Sequence, residues 1–177
     1  MKVVDDFLDI DDFTNLKNIM EGLYFPWYWN PRTTRYDNTP QMIHNFIFKS
    51  QVKSSYLDLL KESKLFEKLG LSYIARCKAN LNYKTIENDV GSFHTDFLYD
   101  SGDSMEGITT SILYINTNNG GTQISNGTRV KSVANRIVTF DCSTKHAPVS
   151  CTDEKRRIVV NFNYYKSKEI MERNYKK

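Results

Sequence analysis

The sequence predicts a single α+β domain, mainly β, with N-terminal helices covering one face of an antiparallel sheet or double-sheet barrel. Three observations carry this. Helical spacing of apolar residues dominates the first 70 residues. Between Leu71 and Tyr165 the hydrophobic period is two, in segments separated by Gly and Asn clusters. The length of 177 residues suits one ordinary domain. A chain of that size buries roughly 70% of its unfolded surface, so neither disulfides nor oligomerisation are needed for folding.

Taken in order, Asp12 is placed to cap a helix in which Phe13, Leu16, Ile19 and Met20 recur at helical spacing, with Gly22 as its stop. The aromatic stretch Tyr24-Phe25-Pro26-Trp27-Tyr28-Trp29-Asn30-Pro31 carries two prolines and reads as loop or edge strand. Its Trp27-Tyr28-Trp29 cluster is either a target-binding rim or an anchor between helices and sheet, with the anchor preferred. Ser55 caps a second helix with Tyr56, Leu59, Leu60 and Phe66 on one face, closed by Gly70. Residues 1–70 are thus read as helical support.

In the next segment Tyr73, Ala75, Cys77, Ala79, Leu81 and Tyr83 alternate with Ile74, Arg76, Lys78, Asn80 and Asn82, the pattern of a long half-polar strand. Shorter strands are expected at Ser92–Leu98, Thr109–Asn116, Thr122–Ile124, Arg136–Asp141 and Arg157–Tyr165. Asn118-Asn119-Gly120-Gly121 reads as a hairpin turn. Residues 71–165 form the β core, and 166–177 a tail in which Ser167–Tyr175 reads as a short helix.

Composition narrows the function classes. At 40% hydrophobic and 25% charged residues the chain is globular rather than disordered. Its 24 basic and 21 acidic residues give a net charge of +3, no strong electrostatic signal for nucleic acid. Cys77, Cys142 and Cys151 are widely spaced with no CxxC pair, which suits a reducing compartment. No apolar run approaches the roughly 20 residues of a membrane span, and the acidic start MKVVDDFLDIDD is unlike a signal peptide. A cytoplasmic protein without a membrane partner is the expectation.

There are three histidines, His44, His94 and His146, and any histidine chemistry must be built from them. His94-Thr95-Asp96 lies in a strand-like run, where residues two apart point to the same side, so His94 and Asp96 can converge on one point. His146 is the one histidine downstream and can complete a two-His, one-carboxylate set that leaves three octahedral positions open. His44 falls outside the pattern and is read as structural. Ten residues beyond His146 begins Arg156-Arg157-Ile158-Val159-Val160-Asn161-Phe162-Asn163-Tyr164. Ile158, Val160, Phe162 and Tyr164 form an apolar face for the helices, leaving Arg157, Val159, Asn161 and Asn163 for a cavity. That parity favours Arg157 over Arg156 as the inward arginine. A buried arginine requires an anionic partner, such as a co-substrate carboxylate.

In this ordered set the chain resembles the Fe(II)- and 2-oxoglutarate-dependent dioxygenases, especially their compact prolyl-4-hydroxylase-like branch. The resemblance runs from Leu71 to Tyr165. It includes Phe93-His94-Thr95-Asp96-Phe97, Ile112-Leu113-Tyr114-Ile115-Asn116, the Gly120-Gly121 turn, Arg136-Ile137-Val138-Thr139-Phe140, His146, and Arg157 eleven positions later. It implies a double-stranded β-helix, or jelly roll, with the N-terminal helices packed on its major sheet. His94, Asp96 and His146 would then bind Fe(II), and Arg157 the C5 carboxylate of 2-oxoglutarate. Tyr83 and Tyr114 are candidates for a hydrogen bond to the same carboxylate, and Asn161 and Asn163 would line the pocket. The implied reaction uses O2 to hydroxylate a C–H bond of a protein, peptide or small molecule, releasing succinate and CO2.

Other readings compete. A nucleic-acid oxidative demethylase on the same scaffold usually carries a second arginine six positions beyond the first, where this chain has Asn163. A non-catalytic jelly-roll binding module is favoured by a broken metal triad, and here the triad is intact. A cupin-like metal site usually takes more histidines than the two available.

Overall fold

A computed structural model describes residues 1–33, 38–96, 107–168 and 172. After a short strand β1 (Lys2–Val4), helix α1 spans Ile10–Glu21. Its cap is Asp9 rather than Asp12: the Asp9 carboxylate accepts from the Asp11 backbone N–H, and Asp11 and Asp12 occupy the first turn. Acidic groups there oppose the positive end of the helix dipole. Phe13, Leu16 and Met20 are its buried stripe, and Gly22 ends it.

The region expected to be helical support contributes four strands to the larger sheet: β1, β2 (Tyr28–Asn30), β3 (Gln41–Phe48) and β4 (Gln51–Val52). β3 is the largest departure from the sequence reading. Its alternation is broken by a register shift between Asn45 and Ile47, so Phe46 and Ile47 are both buried and the period of two is lost. The Trp27-Tyr28-Trp29 cluster divides. Trp27 packs on Phe25 and the core, whereas Tyr28 and Trp29 are exposed on the edge strand β2.

The second expected helix is two: α2 (Leu57–Glu62) and α3 (Leu65–Leu69). An unbroken helix would turn Leu65 and Leu69 away from the stripe of Leu57 and Leu60. Lys64, at φ 56°, breaks the helix and re-aims them, so that all four are buried.

The β core follows: β5 (Tyr73–Tyr83), β6 (Ile108–Tyr114), β7 (Gly121–Ile124), β8 (Arg129–Lys131), β9 (Ile137–Asp141), β10 (His146–Val149) and β11 (Arg156–Tyr165). The larger sheet runs β1-β9-β6-β11-β5-β3-β2, with β4 beside β3; the smaller runs β10-β7-β8. All pairings are antiparallel. The stretch expected as strand Ser92–Leu98 meets β10 through single bridges, Val90 with Val149 and His94 with His146. Residues 97 and 98 lie outside the described residues, as does most of the helix expected over Ser167–Tyr175.

Asn118-Asn119-Gly120-Gly121 is not a hairpin turn. It carries the chain from β6 in the larger sheet to β7 in the smaller. The glycines answer a packing need: a Cβ on Gly121 would collide with the Val130 carbonyl oxygen, and one on Gly120 would stand 2.7 Å from that of Val149.

Two apolar layers result. Ile158, Val160, Phe162 and Tyr164 of β11 join Cys77, Ala79 and Leu81 of β5 under the helices. Ile112, Tyr114, Val138, Phe140 and Val159 meet Ile124 and Val130 between the sheets. This two-sheet arrangement, helices on the outer face of the larger sheet, is the predicted jelly roll. No helix among the described residues is long and apolar enough to cross a membrane.

Candidate active site

Between the sheets lies a cavity of about 890 Å³. Its floor is the inward face of β5 and β11, where pairing sets Asn82 beside Arg157, Asn80 beside Val159, Lys78 beside Asn161 and Arg76 beside Asn163. In a strand, one parity serves one face. Here the apolar parity goes to the helices and the polar parity to the cavity.

At one end His94, Asp96 and His146 converge, with one ligand-capable atom from each lying within 4.8 Å of the others. The two histidines are locked together by reciprocal backbone hydrogen bonds of 2.9 Å. The Nδ1 of His94 lies 3.0 Å from the Ser92 carbonyl oxygen and that of His146 lies 2.9 Å from that of Thr144. A carbonyl can only accept, so each Nδ1 carries the proton and donates, leaving the Nε2 lone pair free. Both Nε2 atoms stand 3.9 Å from the Asp96 carboxylate.

Asp96 is fixed from three directions. Arg76 donates to Oδ1 at 2.7 Å, while Asn163 and Thr110 donate to Oδ2 at 2.9 and 3.1 Å. Asn163 is itself held, accepting from Arg76 Nε at 2.8 Å. Burial alone would raise the Asp96 carboxyl, but Arg76, then His146, the Asn163 amide and His94, hold it well below the usual carboxylate range. Burial and the neighbouring His146 pull His94 down, which favours its neutral form. An ionised carboxylate and two imidazoles whose Nε2 atoms are not engaged by the backbone are donors that suit a divalent metal. The donor set therefore fits Fe(II).

Among the described residues, Asn163 reaches the metal end through Asp96, Thr110 and Arg76. Exchanging it for leucine, of similar size, frees the carboxylate to turn. We expect Asn163→Leu to lower divalent-metal affinity by roughly 10–100-fold, read by titrating Mn(II) and following the free ion by electron paramagnetic resonance.

At the other end Arg157 is 2% exposed. Its terminal nitrogens make only long contacts of 3.4 Å, to Asn82 Oδ1 and Thr122 Oγ1, and its buried Nε has no partner among the described residues. Its guanidinium carbon lies 5.6 Å from the centre of the Tyr114 ring, and the Tyr114 hydroxyl donates to Thr122 at 2.7 Å. Burial lowers the Arg157 pKa. Arg156 turns outward and donates to the Glu21 carbonyl. A buried guanidinium with weak contacts and no carboxylate partner among the described residues is a fit for an incoming carboxylate.

Tyr83 is a correction. It shares the parity of Leu81 and is 54% exposed, so Asn82 takes the cavity position beside Arg157. A one-residue difference in parity sends a side chain to the opposite face. Asn161 does line the cavity, its buried Oδ1 without a partner among the described residues. His44 is buried in β3 with both ring nitrogens bonded, to Pro26 and Ser54.

Sequence reasoning missed Arg76 and Lys78 as cavity residues, having placed them only on the polar side of a long strand. Their signal was that polar parity itself, opposite an apolar face already destined for the helices. Burial and Arg76 lower the Lys78 pKa to about 8.

No family model matches the sequence, and no curated protein is recognisably similar to it in sequence. Solved structures are similar in fold. A 2OG-Fe(II) oxygenase family oxidoreductase from Burkholderia pseudomallei superposes with a TM-score of 0.66 at 11% identity, covering 93% of this chain and 83% of its own. A prolyl-4-hydroxylase from Pseudomonas putida gives 0.58 at 18%, covering 93% and 91%. A prolyl hydroxylase from Trichoplax adhaerens, in complex with a hypoxia inducible factor oxygen degradation domain peptide fragment, gives 0.66 at 13%, covering 96% and 85%. The chain has the fold of these oxygenases, and it places a His-Asp-His triad inside it.

Proposed function

We propose that the chain is an Fe(II)- and 2-oxoglutarate-dependent dioxygenase that hydroxylates a C–H bond of a peptide, protein or small molecule. The observation that carries the reading is the pairing of two features in one cavity. A metal-competent His94-Asp96-His146 set stands at one end, and a buried Arg157 with no carboxylate partner among the described residues stands toward the other. When bound, Fe(II), 2-oxoglutarate and O2 would supply oxidative decarboxylation, yielding succinate and CO2 and coupled to hydroxylation of the target.

The residues have distinct tasks. His94 and His146 would hold the metal through their Nε2 atoms and Asp96 through its carboxylate. Arg157 would pair with the distal carboxylate of 2-oxoglutarate, a charge-assisted contact strengthened by burial. Tyr114 supports that end by fixing Thr122 and by presenting its ring to the guanidinium. Asn161 offers an unsatisfied carbonyl oxygen beside the bound molecules. The sandwich walls, with Ile112 and Val159 in the lining, would hold the reactants together.

Anaerobic addition of Fe(II) and 2-oxoglutarate should produce a visible metal-to-ligand charge-transfer band, and admitting O2 should release succinate. A wild-type chain without the band, or a band that survives Asp96→Ala, would overturn the reading.

A further inference from the structure

We propose that the cavity contains a second anion-binding subsite centred on Lys78, which selects a small polar substrate bearing a carboxylate or phosphate group. The proposal rests on the dioxygenase reading for the word substrate, and on the cavity alone for the anion.

Charge is its first support. Arg32, Arg76, Lys78, Lys145 and Arg157 line the cavity, against one acidic residue, Asp96. Arg76 is committed to Asp96 by their 2.7 Å ion pair. Arg157 is the partner for the co-substrate, whose two negative charges offset those of a divalent metal. Arg32 and Lys145 are exposed and share their charge with solvent. Lys78 is left over: it sits on the cavity floor with no hydrogen bond or ion pair among the described residues. The nearby carboxylate, Asp96, is already paired with Arg76, so Lys78 is enclosed without a counter-charge of its own, a cost that an oxyanion removes.

The surroundings of Lys78 are the second support. Asn161 lies directly across from it on β11 and Asn80 two residues along on β5. Both carry a buried amide oxygen with no partner among the described residues. Residues opposite or two apart on one sheet face are side-chain neighbours. Ammonium and amides therefore form one unsatisfied polar patch. A ligand that meets all of it has an oxyanion for Lys78 and a hydroxyl or amine donor for the amides. At about 890 Å³ the cavity is of a size typical for small-molecule sites.

The test uses the chain loaded anaerobically with Fe(II) and saturating 2-oxoglutarate. Inorganic phosphate and acetate are titrated separately by calorimetry, the two arms distinguishing a phosphate from a carboxylate subsite. The expected result is one anion bound per chain by at least one arm, weakened at least tenfold in Lys78→Met and recovered in Lys78→Arg. The charge-transfer band and the 2-oxoglutarate affinity should be unchanged in both variants. Binding of neither anion to the loaded wild type would overturn the proposal, as would equal binding by Lys78→Met. Loss of 2-oxoglutarate affinity in Lys78→Met would also overturn it, by assigning the lysine to the co-substrate. A missing band in the wild type would instead be a failure of the dioxygenase reading. The anion titration on the metal-free chain, with the same dependence on Lys78 expected, then decides the subsite separately.

Discussion

Asp96→Ala abolishes stoichiometric binding of Fe(II) or Mn(II), and it also destabilises the metal-free chain. The first effect follows from the ligand set. Asp96 is the single carboxylate among the three groups, and its loss leaves two imidazoles in a cavity lined by five basic side chains. The fall in affinity should exceed the roughly 10–100-fold expected for a residue that merely supports a ligand, and so exceed that of Asn163→Leu. The second effect comes from what Asp96 does without metal. Its side chain is 3% exposed and paired with Arg76, which is 19% exposed. Breaking such a pair strands a cation among other cations, at a cost of about 3 kcal/mol. Asp96→Asn separates the two effects. It keeps an acceptor for Arg76, so it should recover part of the stability in urea unfolding while still failing to retain metal. If Asp96→Asn binds Mn(II) as wild type does, the triad is not the metal site.

The site was legible where chemistry coincided with strand parity, and illegible where two structural demands shared a segment. His94 and Asp96 could be joined because an extended run puts i and i+2 on one side. Their third partner came from counting histidines. On β11, four apolar side chains in strict alternation located Arg157, Asn161 and Asn163 on the inner face. The same alternation on β5 points Tyr83 away from the cavity, and only its hydroxyl recommends it for the site. Arg76 and Lys78 went unnoticed because a polar parity ordinarily signals solvent. In a sandwich with helices outside, the solvent-like face turns inward and becomes the site. β3 was hidden by the shift that buries both Phe46 and Ile47. The Gly120-Gly121 pair misled because glycines demanded by close strand approach look the same as glycines demanded by a turn.

Arg157→Met should produce two results of opposite sign. In the ligand-free chain the guanidinium is nearly fully buried, its Nε has no partner among the described residues, and its other contacts stretch to 3.4 Å. The Tyr114 ring offers partial relief. Such a charge costs more in desolvation than it regains, so an apolar replacement of similar length should stabilise the apo chain by about 1–4 kcal/mol. Binding reverses the balance. A carboxylate arriving at the buried Arg157 gains a charge-assisted, two-pronged partner, and truncating such a pair costs about 2–5 kcal/mol. The 2-oxoglutarate affinity should therefore fall by roughly 30-fold or more. Thermal melting with and without 2-oxoglutarate reads both: the variant melts higher alone and gains little from the ligand, whereas the wild type melts lower and gains more. Arg156→Met, which removes only an outward contact to the Glu21 carbonyl, should show neither behaviour. A destabilised Arg157→Met that still responds fully to 2-oxoglutarate would mean that this arginine belongs to the scaffold, and that the co-substrate anion is held elsewhere in the cavity.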